Sequence, residues 1–128
     1  MAGKLYLAAP PNQQWPLAID DLTTQLHRRF PNALISRRTS AITRNDVLDF
    51  EVALADGEMR HGTYVDGGKL ALSDGSPADW ADTLAWFLSL LPDGTPAVAM
   101  VDEGADVVAV PAQIRSPQAV AAYFAALS

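Results

Sequence analysis

Residues 48–54 constrain the fold more than any other stretch of this 128-residue chain. Leu48, Phe50, Val52 and Leu54 alternate with Asp49, Glu51 and Ala53, the period-two pattern of a strand buried on one face and wetted on the other. Asp56-Gly57 follows at once, a dipeptide that supplies the two positive-φ residues of a type I′ turn. A two-residue hairpin there predicts that Leu54 faces Met59, Val52 faces His61, Phe50 faces Thr63 and Leu48 faces Val65. A second tight turn at Gly67-Gly68 pairs Val65 with Leu70 and Thr63 with Leu72. Three strands over about 47–73 then form a meander with its apolar side chains on one face, and the two turns agree on that face. A slip of one residue would turn a strand over.

The flanking elements follow from helical spacing and caps. Lys4 to Ala8 alternates and reads as a short strand stopped by Pro10-Pro11. Ala18, Ile19, Leu22, Leu26 and Phe30 share a face at helical spacing, which predicts a helix over 16–29, with a strand over 33–39 after Pro31-Asn32. Ser76-Pro77-Ala78-Asp79 combines a serine N-cap, a proline at the first helical position and an acid three beyond the cap, so a second helix starts there. Its apolar face holds Trp80, Leu84, Phe87, Leu88 and Leu91, and Pro92-Asp93-Gly94 ends it. Residues 97–101 and 106–110 read as a hairpin around Asp102 to Ala105. Ser116-Pro117 opens a last helix with Val120, Tyr123, Phe124 and Leu127 on one face. The expected fold is a single α+β domain over 1–128 in the order β-α-β-β-β-β-α-β-β-α. It has two layers, a mainly antiparallel sheet covered on one face by helices, because the meander has one apolar face to cover.

Composition excludes several chemistries. The chain has no cysteine, which removes disulfide frameworks, thiolate metal sites and cysteine nucleophiles. Neither G-x-G-x-x-G nor the phosphate-binding P-loop motif occurs, and Gly75-Ser76-Pro77 is a helix cap without the second glycine of a nucleophile elbow. The two histidines, His27 and His61, have no spacing that supports a metal, so no cofactor and no metal is implied. The longest apolar run, 84–91, is less than half of a membrane span. The stretch 5–9 is too short for a signal-peptide core, and the expectation is a cytoplasmic protein with no membrane role.

Charge is distributed unevenly. The net charge is −6, yet residues 1–44 carry six bases and two acids, whereas residues 45–128 carry three bases and thirteen acids. Arg28, Arg29, Arg37, Arg38 and Arg44 lie within 17 residues without an acid among them. They form a candidate patch for a small anion or an acidic surface, although neighbouring arginines on a strand point to opposite faces. No aromatics interleave with them, which argues against nucleic acid.

Two further positions stand out. In the predicted register His61 falls on the apolar face beside Val52 and near Thr63, either as a contact in a pocket between helices and sheet or as a core-edge histidine. Trp86 falls off the apolar face of its helix among Asp79, Asp82 and Leu90. It is either an interface anchor with an acidic rim or a residue packed under a loop or against the last helix. Asp49 and Glu51 share the solvent face, with Arg60 diagonal to Glu51.

The expected function is a small acidic binding protein without catalysis, of the immunity or antitoxin kind or of the secretion-chaperone kind. It would engage a protein partner or a second copy through the helix around Trp86 or the solvent face of the meander. The alternative is a domain for a small ligand or anion, or a minor enzyme, with a pocket between helices and sheet where His61, Thr63 and either Tyr64 or an arginine from 37–44 converge. The order helix, three strands, helix, two strands, helix also resembles the secretion-chaperone-like fold, from which the N-terminal strand departs.

Overall fold

The first strand, β1 (Lys4–Ala8), buries Leu5 and Leu7 on one side and leaves Tyr6 and Ala8 half-buried on the other. The computed structural model describes residues 4–42, 44–101, 107–111 and 113–127. After β1 come α1 (Ile19–Arg29), β2 (Leu34–Thr39), β3 (Asp46–Ala53), β4 (Met59–Val65), β5 (Lys69–Ser73), α2 (Pro77–Ser89), β6 (Ala97–Val101), β7 (Val108–Val110) and α3 (Pro117–Ala126). This is the predicted order. The strands form one antiparallel sheet, β2-β3-β4-β5-β1-β6-β7, so the N-terminal strand that departs from the secretion-chaperone-like order lies inside the sheet between β5 and β6. The connection around Asp102 to Ala105 lies outside the described residues.

Helix α2 begins as the capping-box pattern requires: Ser76 Oγ accepts the Asp79 amide (3.2 Å), and the Asp79 carboxylate accepts the Ser76 amide (2.9 Å). Ser116 caps α3 in the same way, accepting from the Ala119 amide (3.1 Å). The α1 N-cap, Ala18, has no side-chain oxygen to offer. Helix α2 is buried almost all round, through Trp80, Ala81, Thr83, Leu84, Ala85, Phe87 and Leu88, because it packs on the sheet, with Phe87 against Tyr64, and against α3. Leu5, Leu7, Leu48, Phe50, Val52, Tyr64, Leu70, Leu72, Ala97 and Ala99 all join the same core as the three helices. Successive side chains alternate across a strand, so the remaining strand residues form a second face that no helix among the described residues covers.

The meander differs from expectation by one residue at each turn. Phe50 pairs with Gly62, Asp49 with Thr63, Glu51 with His61 and Ala53 with Met59. The first turn spends three residues rather than two. Leu54 donates its amide to Glu58 (3.1 Å) and accepts from Gly57 (2.9 Å), and Gly57 alone takes the left-handed conformation (φ 82°). This is the type I turn with a bulged glycine. It is favoured here because the Asp56 carboxylate accepts the Glu58 amide (3.0 Å) and pairs with Arg60.

The β4–β5 turn is also three residues long. Val65 pairs with Lys69, and Gly67 and Gly68 both have positive φ. Long-range contacts set it: Ala9 and Trp15 donate their amides to the carbonyls of Gly68 and Gly67 at 2.9 and 3.0 Å. A Cβ on Gly68 would lie 2.8 Å from that of Ala9.

The two slips cancel between β3 and β5, whose inner residues are those expected, and together they turn β4 over. Gly62 and Tyr64 enter the core, while His61, Thr63 and Val65 move to the uncovered face. Met59 is 46% exposed, and Arg60, placed by the sequence diagonal to Glu51, instead turns toward Asp56 and the Asp74 carbonyl. Two features accommodate the inverted strand. The Phe50 ring lies over Gly62, and the Tyr64 hydroxyl donates to the Leu17 carbonyl (2.7 Å) from full burial, which pushes that phenol far above its ordinary pKa.

Candidate functional site on the uncovered sheet face

Seven strands at about 4.8 Å spacing give the uncovered face a width of about 29 Å. Its two halves differ. Over β5, β1, β6 and β7 the cross-strand rows Ala71-Tyr6-Met100 and Ala8-Val98-Ala109 are apolar, and all but the exposed Ala109 are half-buried. Lys69 rests its ammonium 5.5 Å from the centre of the Tyr6 ring, a contact that keeps the cation beside the aromatic face.

Over β2, β3 and β4 the face is polar and centred on Asp49. Arg38 Nε donates to Asp49 Oδ2 (2.8 Å) and the Thr63 hydroxyl donates to Asp49 Oδ1 (3.0 Å), with His61 Nε2 3.8 Å from the same oxygen. Partial burial pushes the Asp49 carboxyl up, but the hydrogen bonds from Arg38 and Thr63 and the charge of Arg38 outweigh it, so the group ionises below its usual range. A carboxylate held in this way is a fixed anion rather than a proton carrier. His61 is 44% exposed along its side chain and lines a shallow cleft of about 200 Å³ with Leu34, Ser36, Asp49 and Glu51. Below Thr63, a larger groove of about 530 Å³ runs between Arg38 and Lys69 over Val47 and Val65, with Gln13 and Gln14 at its rim.

The remaining sequence candidates scatter. His61, Thr63 and Arg38 come together, but on the uncovered face and not in a pocket between helices and sheet. The carboxylate that the predicted register did not provide is Asp49, brought beside His61 by the slip. Arg37 points the other way from Arg38, as strand alternation requires, and ties β2 to α1 and β3 through Asp20 (2.6 Å) and Asp46 (3.0 Å). Arg44 lies exposed in the β2–β3 connection with φ 61°. Arg29 stacks its guanidinium 5.5 Å from the Trp86 ring. The arginines therefore serve separate places and do not converge on one anion.

Trp86 packs edge-on against Phe30, the residue that follows α1 (6.0 Å between ring centres), and is half-buried. Of its predicted rim, Asp79 is held in the capping box, Asp82 is exposed and Leu90 is half-buried at the helix end. Sequence reasoning missed Tyr6, Met100 and Lys69 as neighbours, because their proximity depends on β1 entering the sheet between β5 and β6, and it missed Asp49 beside His61 because that depends on the β3–β4 register.

No helix among the described residues is long and apolar enough to cross a membrane. Compared with family models, curated proteins and solved structures, the chain matches none.

Proposed function

We propose that this chain is a non-catalytic protein-binding domain that holds a protein partner on the uncovered face of its sheet. One observation carries the proposal: all three helices share one face, leaving an apolar half around Tyr6 and Met100 beside a polar half around Asp49. Interfaces combine a desolvated apolar centre with a hydrogen-bonding rim, and contiguous apolar patches on a protein surface mark such contacts. The Asp49 cluster favours recognition over catalysis, since Arg38 and Thr63 already occupy its carboxylate. The His61 cleft, about 200 Å³, is smaller than the ~300–1,000 Å³ of ordinary ligand pockets.

Tagged protein recovered from its native cells tests this, with wild type, Met100→Glu and Asp82→Lys compared side by side by quantitative mass spectrometry. A partner enriched by wild type and by Asp82→Lys, and depleted at least about tenfold by Met100→Glu, is the expected result. A partner retained by Met100→Glu and lost with Asp82→Lys would place the contact on the α2 surface instead.

A further inference from the structure

The groove below Thr63 has a regular geometry. Arg38, Val47, Val65 and Lys69 are consecutive cross-strand neighbours on β2, β3, β4 and β5, so one row presents a cation, two valines and a cation. Val47 is 3% exposed and forms an apolar floor with the half-buried Val65. Three strand spacings separate the two cations, about 14 Å between backbones.

Both cations have capacity to spare. Arg38 gives only its Nε to Asp49, and its terminal nitrogens bond no other described residue. Lys69 lies over Tyr6 and pairs with no carboxylate among the described residues. Gln13 and Gln14 line the same groove with amide groups that both donate and accept, and Asp66 contributes the one carboxylate of its rim among the described residues. In a chain of net charge −6, this row is a local reversal of sign.

From this spacing we infer that the groove binds an extended acidic segment of the partner, crossing the strands, with carboxylates four residues apart and an apolar residue midway. An extended chain rises about 3.4 Å per residue, so side chains at i and i+4 lie on the same side about 14 Å apart. The two carboxylates meet Arg38 and Lys69, the middle side chain meets Val47 and Val65, and Gln13 and Gln14 pair with the peptide backbone. This inference rests on the uncovered face being the partner surface, but its test does not require the partner.

The probe is the capped peptide Glu-Ser-Val-Ser-Glu, titrated to millimolar concentration into ¹⁵N-labelled protein and followed by amide shifts. Saturable shifts at Val47, Val65 and the 66–69 turn are expected. Arg38→Gln and Lys69→Gln should each weaken binding by about 1.5-fold to fivefold, the range for an exposed ion pair, and Arg44→Gln should leave it unchanged. The peptide Glu-Glu-Ser-Val-Ser, of the same composition, should bind more weakly. Absence of shifts in the groove, equal binding of the two peptides, or equal binding of free glutarate as a small anion would each overturn the inference. None of these results would alter how Met100→Glu behaves in the partner capture, so the two proposals fail separately.

Discussion

Replacing Gly62 by valine is expected to destabilise the protein by about 3 kcal/mol, near the upper end for overpacking a core position. A Cβ at Gly62 would lie 2.3 Å from Phe50 Cζ and 3.0 Å from a Leu72 methyl, and Phe50 is itself only 3% exposed. The ring would have to shift within a packed core. In the register expected from Asp56-Gly57, position 62 would face solvent, where a β-branched residue is neutral or favourable in a strand. The sign of the change therefore separates the two registers. Thr63→Val is the companion variant: it loses one hydrogen bond to Asp49 on the uncovered face and should cost no more than about 1.5 kcal/mol. Urea denaturation of the three proteins measures both values.

Trp80→Ala is expected to cost about 3–5 kcal/mol, the range for removing a large aromatic from a packed core. Trp80 has no exposed surface, and it approaches the backbone at Gly75 so closely that a Cβ there would lie 2.5 Å from its indole nitrogen. The Arg60 side chain packs against the same glycine. The indole N–H has no hydrogen-bond partner among the described residues, so part of the contribution of the ring is offset by a buried donor. Trp80→Phe removes that donor while keeping most of the apolar contact and should cost clearly less than Trp80→Ala. If the alanine variant lost under 1 kcal/mol by chemical denaturation, the packing of α2 on the sheet would be contradicted.

What the sequence revealed and what it concealed have separate physical origins. Element order was legible because each element carries its own local signal: the alternation of Leu48 to Leu54, the Ser76 and Ser116 caps, and the stops at Pro10-Pro11 and Pro92-Asp93-Gly94. The opposite aims of Arg37 and Arg38 were legible from alternation alone.

The register of β4 was not, because it depends on a single residue in each turn. Asp56-Gly57 suits a two-residue turn, but the Asp56 carboxylate bonds Glu58 and Arg60 and selects the three-residue form. At Gly67-Gly68 the choice is made by Ala9 and Trp15, more than fifty positions away. Agreement between the two turns offered no protection, since equal slips leave β3 and β5 in phase and invert only the strand between them. The neighbours of Trp86 were not legible either. A helix buried on several sides has no single apolar face, and Arg29 at the end of α1 and Phe30 just beyond it supply the cover that the wheel omitted.

The functional proposal depends on which face β4 gives to His61 and Thr63, and cross-strand NOEs between backbone α-protons decide that directly. Antiparallel pairs alternate between hydrogen-bonded positions and closer non-hydrogen-bonded ones. Counting from the closing pair Leu54 and Glu58, the close positions are Ala53 with Met59, Glu51 with His61 and Asp49 with Thr63. Strong α-proton NOEs between Glu51 and His61 and between Asp49 and Thr63 are predicted. NOEs joining Val52 to His61 and Phe50 to Thr63 in their place would return both side chains to the covered face and contradict the site.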